Sequence, residues 1–343
     1  ELPYDRYPLQ GDLAVICFPA AKQLKRSPPE LAKELATVLA DRGLSASAEG
    51  GYCNITLDWR SLASGLLGQI ASGDFGRGAP SGKRVLIEHT SANATGPFHM
   101  GRARNPIIGD TLARLLHYAG DEVATEYYVN DMGRQAATLA YGLSHFPSGD
   151  NGKVDHALVE CYQQASAALE NDPTAKKAIY ELMEACEQGD KKAIKEVAGA
   201  AEKMLVGMRI SLSRMGVEAE AFFNESKLVT GGMVDEVVTA LAKSPLCGDE
   251  EGAKYLDLTD YGIAGRNQKF FFTRKSGLSL YTTRDVAYHL DKFGRCDVAI
   301  NILGEDHKLQ SRLLGIALGE LGAPAPDAQF YAFVSLPGGR GCG

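Results

Sequence analysis

The chain has 343 residues, 45% hydrophobic and 23% charged, with a formal net charge of −7; this balance supports folded cores and argues against disorder or a polyelectrolyte tail. An acidic total also argues against a protein coated in nucleic acid, although it leaves room for one basic face, because phosphate binding depends on local clustering. Apolar stretches break well before the roughly 20 residues a membrane span requires, and the length fits two packed units.

Taken in chain order, residues 1–75 read as a small α+β unit. "DLAVICF" and "YCNITLDW" are strand-like, and "SPPELAKELATVLADRGL" between them offers Ser27 as helix cap, Pro28 in the first turn and Gly43 at the stop. The Gly/Ser/Pro-rich "ASGDFGRGAPSGK" reads as a linker, closing at residues 76–83 before a larger domain over 84–343. "RVLIEHT", the helix ending near Tyr118 and the strand "EVATEYYV" form a βαβ unit with a parallel pair.

Residues 132–220 are then almost entirely helix-forming, with apolar positions at i, i+3 and i+4, and read as a helical insertion. Alternation resumes with "KYLDL", "KFFFTR", the helix from "TTRDVAYHLDKF", the strand "DVAINIL", a further helix and the strand "FYAFVSL". The fold class expected is α/β: one doubly wound parallel, Rossmann-like sheet split by the insertion, beside the small α+β domain. Its crevice would bring the Thr90–Met100 and Leu303–His307 loops together. The seven cysteines form no C-x-x-C pair and no cluster at metal-ligand spacing, so reduced thiols in a cytoplasmic protein, without a protein-held metal, are expected. The start at Glu1 and the stop at "VSLPGGRGCG" suggest a fragment of a longer chain.

The turn "TGPFHMGRAR" matches neither G-x-G-x-x-G nor the phosphate loop G-x-x-x-x-G-K-[ST]. It nevertheless sets Gly96, His99, Gly101, Arg102 and Arg104 at a helix start, where free N–H groups and the macrodipole favour an anion. Gly101 admits close approach of a ligand, and His99 and Arg102 can donate to phosphate oxygens. Taken singly, other candidates have plainer readings. Asp285 suits a helix first turn, Asp306 a helix cap and Glu88 a surface ion pair, while Asn93 and His307 could satisfy loop backbone.

"SANATGPFHMGRARNPIIGDTLARLL" resembles the His-x-Gly-His signature of class I aminoacyl-tRNA synthetases. Together with "YYVNDMGRQ", "SLYTTRDVAYHLDKF" and "ILGEDHKLQ" it is similar to arginyl-tRNA synthetases of the archaeal type, over nearly the whole chain. The resemblance implies that His99 and Gly101 contact ATP phosphates in the transition state of activation. Arg102 stands where the family's fourth signature position is usually His. Arginine keeps a donor and adds fixed charge.

The resemblance further implies that Glu88 meets the guanidinium end of the substrate, Asn93 its α-amino and carboxylate end, and Tyr281 with Asp285 the guanidinium. Gly304, Asp306 and His307 would face the nucleotide and the α-amino group. Lys22, Lys25 and Arg26 form a small basic cluster, and the amino-terminal domain in this family contacts the outer corner of tRNA. The reaction implied joins L-arginine and ATP, with Mg2+ as part of the substrate complex, to arginyl-adenylate and then transfers arginine to tRNA(Arg), in a monomer. Family members continue into a Lys-Met-Ser loop and an anticodon-binding domain. Impaired activity is therefore expected of this chain. A nucleotidyltransferase of the same superfamily, and a non-catalytic or non-tRNA arginine/ATP-binding paralogue, are the competing readings.

Overall fold

The computed structural model describes residues 11–73, 75–149, 152–263 and 268–332. By contact pattern the chain divides into two units, Glu1–Arg77 and Gly78–Gly343.

In the first unit, strands β1 (Leu13–Ile16), β2 (Ser45–Glu49) and β3 (Tyr52–Thr56) form an antiparallel sheet in the order β1-β3-β2. Helix α1 (Phe18–Leu24) follows β1, and α2 (Pro28–Asp41) precedes β2. Small side chains let α2 lie close to the sheet: Ala32 and Ala36 pack on Cys17 and Cys53, with Leu31, Leu35 and Leu39 around them. Ser27 occupies the N-cap of α2, but its side chain makes no capping hydrogen bond, so Pro28 carries the start signal through its fixed φ.

A third helix, α3 (Trp59–Ser72), went unseen in the sequence. Asp58 caps it by accepting from the backbone N–H groups of Arg60 and Ser61, and left-handed Gly73 ends it. None of its residues is buried, although Trp59, Leu62, Leu66 and Ile70 recur on one side at helical spacing. The glycine-rich linker read from residue 71 therefore starts inside its last turn.

The second unit is built on five parallel strands. β4 (Arg84–Glu88), α4 (Arg104–Ala119) and β5 (Glu122–Val129) make the expected βαβ unit. Helices α5 (Gly133–His145), α6 (Val154–Asn171), α7 (Pro173–Glu187) and α8 (Lys191–Arg214) form the insertion. Its core sets Leu139, Met204, Leu205 and Met208 against Tyr127 and Val129 of β5.

The chain returns through β6 (Ala221–Asn224), α9 (Ser226–Thr230) and α10 (Met233–Leu241) to a separate sheet of β7 (Cys247–Glu250), β8 (Ala253–Asp257) and β9 (Lys269–Phe271). Next come α11 (Tyr281–Arg295), β10 (Val298–Gly304), α12 (Lys308–Glu320) and β11 (Asp327–Tyr331). The parallel sheet runs β11-β10-β4-β5-β6.

Two readings of the later strands need correction. "KYLDL" and "KFFFTR" lie in the antiparallel sheet β7-β8-β9 and not in the parallel one, whose fifth strand is the short "AFFN" of β6. Short apolar runs carry no sign of the sheet they join, because periodicity reports burial and not partner. The last strand begins earlier than "FYAFVSL" suggests, at Asp327, and the terminal "VSLPGGRGCG" lies outside the described residues beyond Ala332.

The central strands read as parallel strands should. Leu86 and Ile87 in β4, and Ala299 to Ile302 in β10, are buried on both faces between helices. One polar row crosses this apolar sheet. Asn301 of β10 is paired with Glu88 of β4, and Glu88 with Glu126 of β5, at the same level. Two carboxylates directly opposite each other repel, and α11 compensates by laying cations over them. Lys292 Nζ meets Glu88 Oε2 at 2.5 Å and Asn301 Oδ1 at 2.8 Å. Arg295 bonds both oxygens of Glu126 at 2.9 and 3.0 Å, and the Tyr288 hydroxyl donates to Glu126 at 2.8 Å.

Candidate active site

In chain order the parallel strands run β4, β5, β6, β10, β11, so the sheet order reverses between β4 and β10. A doubly wound sheet opens its ligand crevice past the carboxyl ends of its strands at such a reversal. There a cavity of about 380 Å³ is lined by Glu88, Ser91, Asn93, Arg102, Gly304, Asp306 and His307, among others. Six residues chosen from sequence, all but Ser91 in that set, thus meet on one cavity. Tyr281 and Asp285 line a second cavity of about 220 Å³, between the first turns of α11 and the Leu309–Leu314 side of α12. His99 and Gly101 line neither cavity and stand in and beside the 3-10 turn Met100–Arg102 that leads into α4.

The loop after β4 turns by an unusual route. Thr90 and Ser91 have φ of 71° and 38°, the left-handed region that a β-branched or bulky residue enters only at a cost. What holds them there is a set of side-chain bonds. Asn105 of α4 accepts from the Thr90 N–H at 2.6 Å and donates to the Ile302 carbonyl at 2.7 Å, joining the loop to the end of β10. Ser91 Oγ donates to Glu88 Oε1 at 2.9 Å and accepts from the Tyr128 N–H at 3.0 Å. The loop therefore presents its polar groups in fixed directions.

Further along, the Asn93 amide donates to Gln135 Oε1 at 2.9 Å, and Arg102 Nη1 reaches the Asn93 carbonyl at 3.4 Å. Arg102 thus faces the cavity while bracing the loop opposite. Ala103 at the N-cap of α4 brings no capping side chain, so the Arg104 and Asn105 N–H groups of its first turn stay uncapped. Partial desolvation, and secondarily the Arg102 cation, lowers the pKa of the exposed His99 imidazole below its ordinary value. His99 is therefore a neutral ring at neutral pH. Arg104 does not line the crevice itself: it donates to the Ala332 carbonyl and lies 5.4 Å over the ring of Tyr331, which does.

On the other side stands Asp285, its carboxylate 46% exposed and 3.2 Å from His289 Nδ1. Tyr281, one helical turn earlier, is 66% exposed. Tyr128 lines the first cavity, packed on Tyr288 at 4.5 Å, its hydroxyl pKa driven well above the ordinary value by burial and then by Glu225, Asp285 and Glu88. It is a neutral phenol at any working pH.

Behind this wall, buried Arg284 pairs with Glu225 and approaches Glu187 of the insertion at 4.0 Å. Arg274 bonds the same Glu187 at 2.9 Å, and the Asn130 amide donates to Glu225 at 2.9 Å. Burial raises the Glu225 pKa, and the Arg284 cation works against that rise.

Sequence reasoning missed Ser91, Asn105, Gln135, His289, Lys292 and Asn301. His289 is buried. The one sequence signal for these residues is positional: each lies within a quoted motif or one turn beyond it. Among the described residues no group of three His, Cys, Asp or Glu is placed to hold a metal ion, and no helix is long and apolar enough to cross a membrane.

In the first unit Lys22 and Lys25 are exposed, with Lys25 left-handed at the end of α1, whereas Arg26 is paired with Glu34 at 2.8 Å.

A parallel sheet of this order, with a polar crevice at its reversal, defines a doubly wound α/β domain with a ligand site at its switch point. Residues 68–307 match the family described as "tRNA synthetases class I (R), catalytic domain", and the chain belongs to it. Residues 5–57 match the arginyl tRNA synthetase N terminal domain. The arginine–tRNA ligase of Methanocaldococcus jannaschii is 39% identical over 341 residues, covering 96% of this chain and 60% of the relative. That of Methanocella arvoryzae is 41% identical over 334 residues, covering 94% and 58%. This chain thus spans about 60% of the length of these relatives.

Two solved structures share the fold. Thermus thermophilus arginyl-tRNA synthetase superposes with a TM-score of 0.66 at 24% identity, covering 95% of this chain and 60% of that one. The Plasmodium falciparum arginyl-tRNA synthetase gives 0.61 at 16% identity, covering 94% and 58%.

Proposed function

We propose that this chain carries the arginine-activating site of an arginine–tRNA ligase. The site condenses L-arginine with the Mg2+ complex of ATP into arginyl-adenylate and pyrophosphate, and arginine then passes to tRNA(Arg). The observation that carries the reading is the placement of Arg102, Gly304, Asp306 and His307 on one crevice with Glu88 and Asn93, beside the Asp285 pocket. Arg102 and the open first turn of α4 supply positive potential for a polyphosphate, and His99 stands at the same turn as a neutral donor. Asp285 offers a carboxylate to a guanidinium, with the Tyr281 hydroxyl one helical turn away.

The chemistry asks little covalent work of the protein. Holding an α-carboxylate in line with the α-phosphate, and neutralising the leaving pyrophosphate, accounts for most of the rate. Mg2+ enters with ATP and needs no cage of its own. Lys22, Lys25 and Arg26 of the first unit are proposed to meet tRNA phosphates. The working state proposed is a cytoplasmic monomer.

Arginine-dependent exchange of pyrophosphate into ATP, measured with and without tRNA(Arg), tests the reading. Because the chain spans about 60% of its relatives, we expect it to bind arginine and ATP, to exchange slowly even with tRNA, and to charge tRNA weakly. Exchange driven by another amino acid, or none with tRNA present, would overturn the assignment. Aminoacylation at the rate of a full-length relative would overturn the expected impairment.

A further inference from the structure

The crevice and the Asp285 pocket are joined by a continuous buried chain of side chains. Lys292, fully buried, bonds Glu88 Oε2 at 2.5 Å and Asn301 Oδ1 at 2.8 Å. An ammonium can only donate, so Asn301 Oδ1 is the acceptor and its Nδ2 is left to donate. That Nδ2 lies 2.7 Å from His289 Nε2. His289 Nε2 must then accept, which puts the ring hydrogen on Nδ1. Nδ1 faces Asp285, 2.8 Å from its carbonyl oxygen and 3.2 Å from carboxylate Oδ1.

Each step along this relay fixes the next. The fully buried cation determines the amide orientation, the amide determines the tautomer, and the tautomer gives Nδ1 a hydrogen that goes to the Asp285 carbonyl oxygen at 2.8 Å, with carboxylate Oδ1 alongside at 3.2 Å. A second consequence concerns charge. The buried ammonium of Lys292 already neutralises Glu88, whereas Asp285 has only the His289 N–H as a polar side-chain partner among the described residues. Asp285 is thus the carboxylate free to answer a guanidinium, and the ring that the relay orients lies at its edge.

We propose that His289, oriented through Asn301 by Lys292 and Glu88, is a positioning residue that sets the Asp285 carboxylate for the substrate guanidinium and so contributes to selection of arginine. The proposal rests on the arginine-site reading of Asp285. Groups held by a supporting hydrogen bond bind better because their orientation is settled before the ligand arrives. A role confined to anchoring α11 on the sheet predicts a loss of stability with no special link to Asp285. A positioning role predicts coupling between the two residues.

Calorimetric titration of the 343-residue chain with L-arginine separates these roles in a double-mutant cycle of His289→Ala and Asp285→Asn. His289→Ala should weaken arginine binding about tenfold with Asp285 present and less than twofold with Asn at 285. His289→Asn, whose amide nitrogen stands where Nδ1 stands, should recover affinity to within about threefold of wild type. Equal losses in both backgrounds, no loss in either, or no recovery by the Asn variant would overturn the proposal.

Nitrogen NMR of wild-type chain labelled at histidine supplies a readout that needs no variant. His289 should show the Nδ1–H tautomer, and its Nδ1 signal should move when arginine is added. An Nε2–H tautomer, or a signal that does not respond, would overturn the proposal. Wild-type chain that fails to bind arginine at all would remove the arginine-site reading together with this one, whereas normal binding with an indifferent His289 would remove this one alone.

Discussion

His89 sits one residue beyond the carboxyl end of β4, 1% exposed, with Nδ1 2.8 Å from Thr90 Oγ1 and Nε2 buried without a partner among the described residues. Burial lowers its pKa from the ordinary 6.5, against the attraction of Asp110 and Glu88. A histidine depressed in the folded state stabilises fully above its unfolded value and loses that contribution as pH falls through the folded one. Stability should therefore drop as pH falls below about 6.5, and His89→Gln should flatten this slope in melts taken from pH 7 to 4. Parallel melting curves for the two proteins would show that His89 is not the group responsible. At this scale the sequence disclosed the ligand-facing side chains and hid their supports. Asp285 and Glu88 stand in recognisable motifs, but Lys292 meets Glu88 across 204 positions, and only the sheet brings the two together. Burial of a lysine cannot be read from its type, since most lysines are solvated.

The crossing of α4 over β4 depends on a missing side chain. A Cβ built on Gly109 would lie 2.3 Å from His89 Cβ and 2.5 Å from His89 Cγ, so the helix approaches the strand end only because position 109 has none. Gly109→Ala should raise intrinsic helix propensity by about 1 kcal/mol and still destabilise the protein, because overpacking a tight contact costs about 1–3 kcal/mol and His89, near the chain, cannot swing aside. Since α4 also carries Asn105 and follows Arg102, the displaced helix should weaken ATP binding as well. Urea denaturation with ATP titration checks both, and a variant as stable as wild type would show that α4 shifts without strain. Elements with long one-sided patterns are where the sequence located them: α2, α4 and, as one helix-forming stretch over 132–220, the insertion. The misses differ in cause: β6 spans four residues and β9 three, too short for a pattern to reveal which sheet they join, whereas α3 carries Trp59, Leu62, Leu66 and Ile70 at helical spacing and was legible.

Over the whole chain, the two units divide the proposed work. Every residue lining the crevice and the Asp285 pocket falls within 78–343, and the first unit has its own core around Cys17, Cys53, Ala32 and Ala36. The basic cluster, Lys22, Lys25 and Arg26, belongs to the first unit, so ligand chemistry and phosphate contact should be separable by deletion. Removing residues 1–77 should leave arginine affinity unchanged and weaken tRNA(Arg) binding. The size of the electrostatic part follows from the ion pairs. Arg26 must give up its exposed partner Glu34 to meet a phosphate, a swap that adds little net charge neutralisation, while Lys22 and Lys25 are exposed. Each phosphate neutralised on duplex nucleic acid contributes about 0.9 to the slope of log affinity against log salt, so the deletion should reduce that slope by about 2 and not by 3. Binding isotherms for both chains between low and moderate salt measure the difference directly. An unchanged slope would take the cluster out of the tRNA interface, while a loss of arginine affinity would mean that the second unit does not hold its pocket alone.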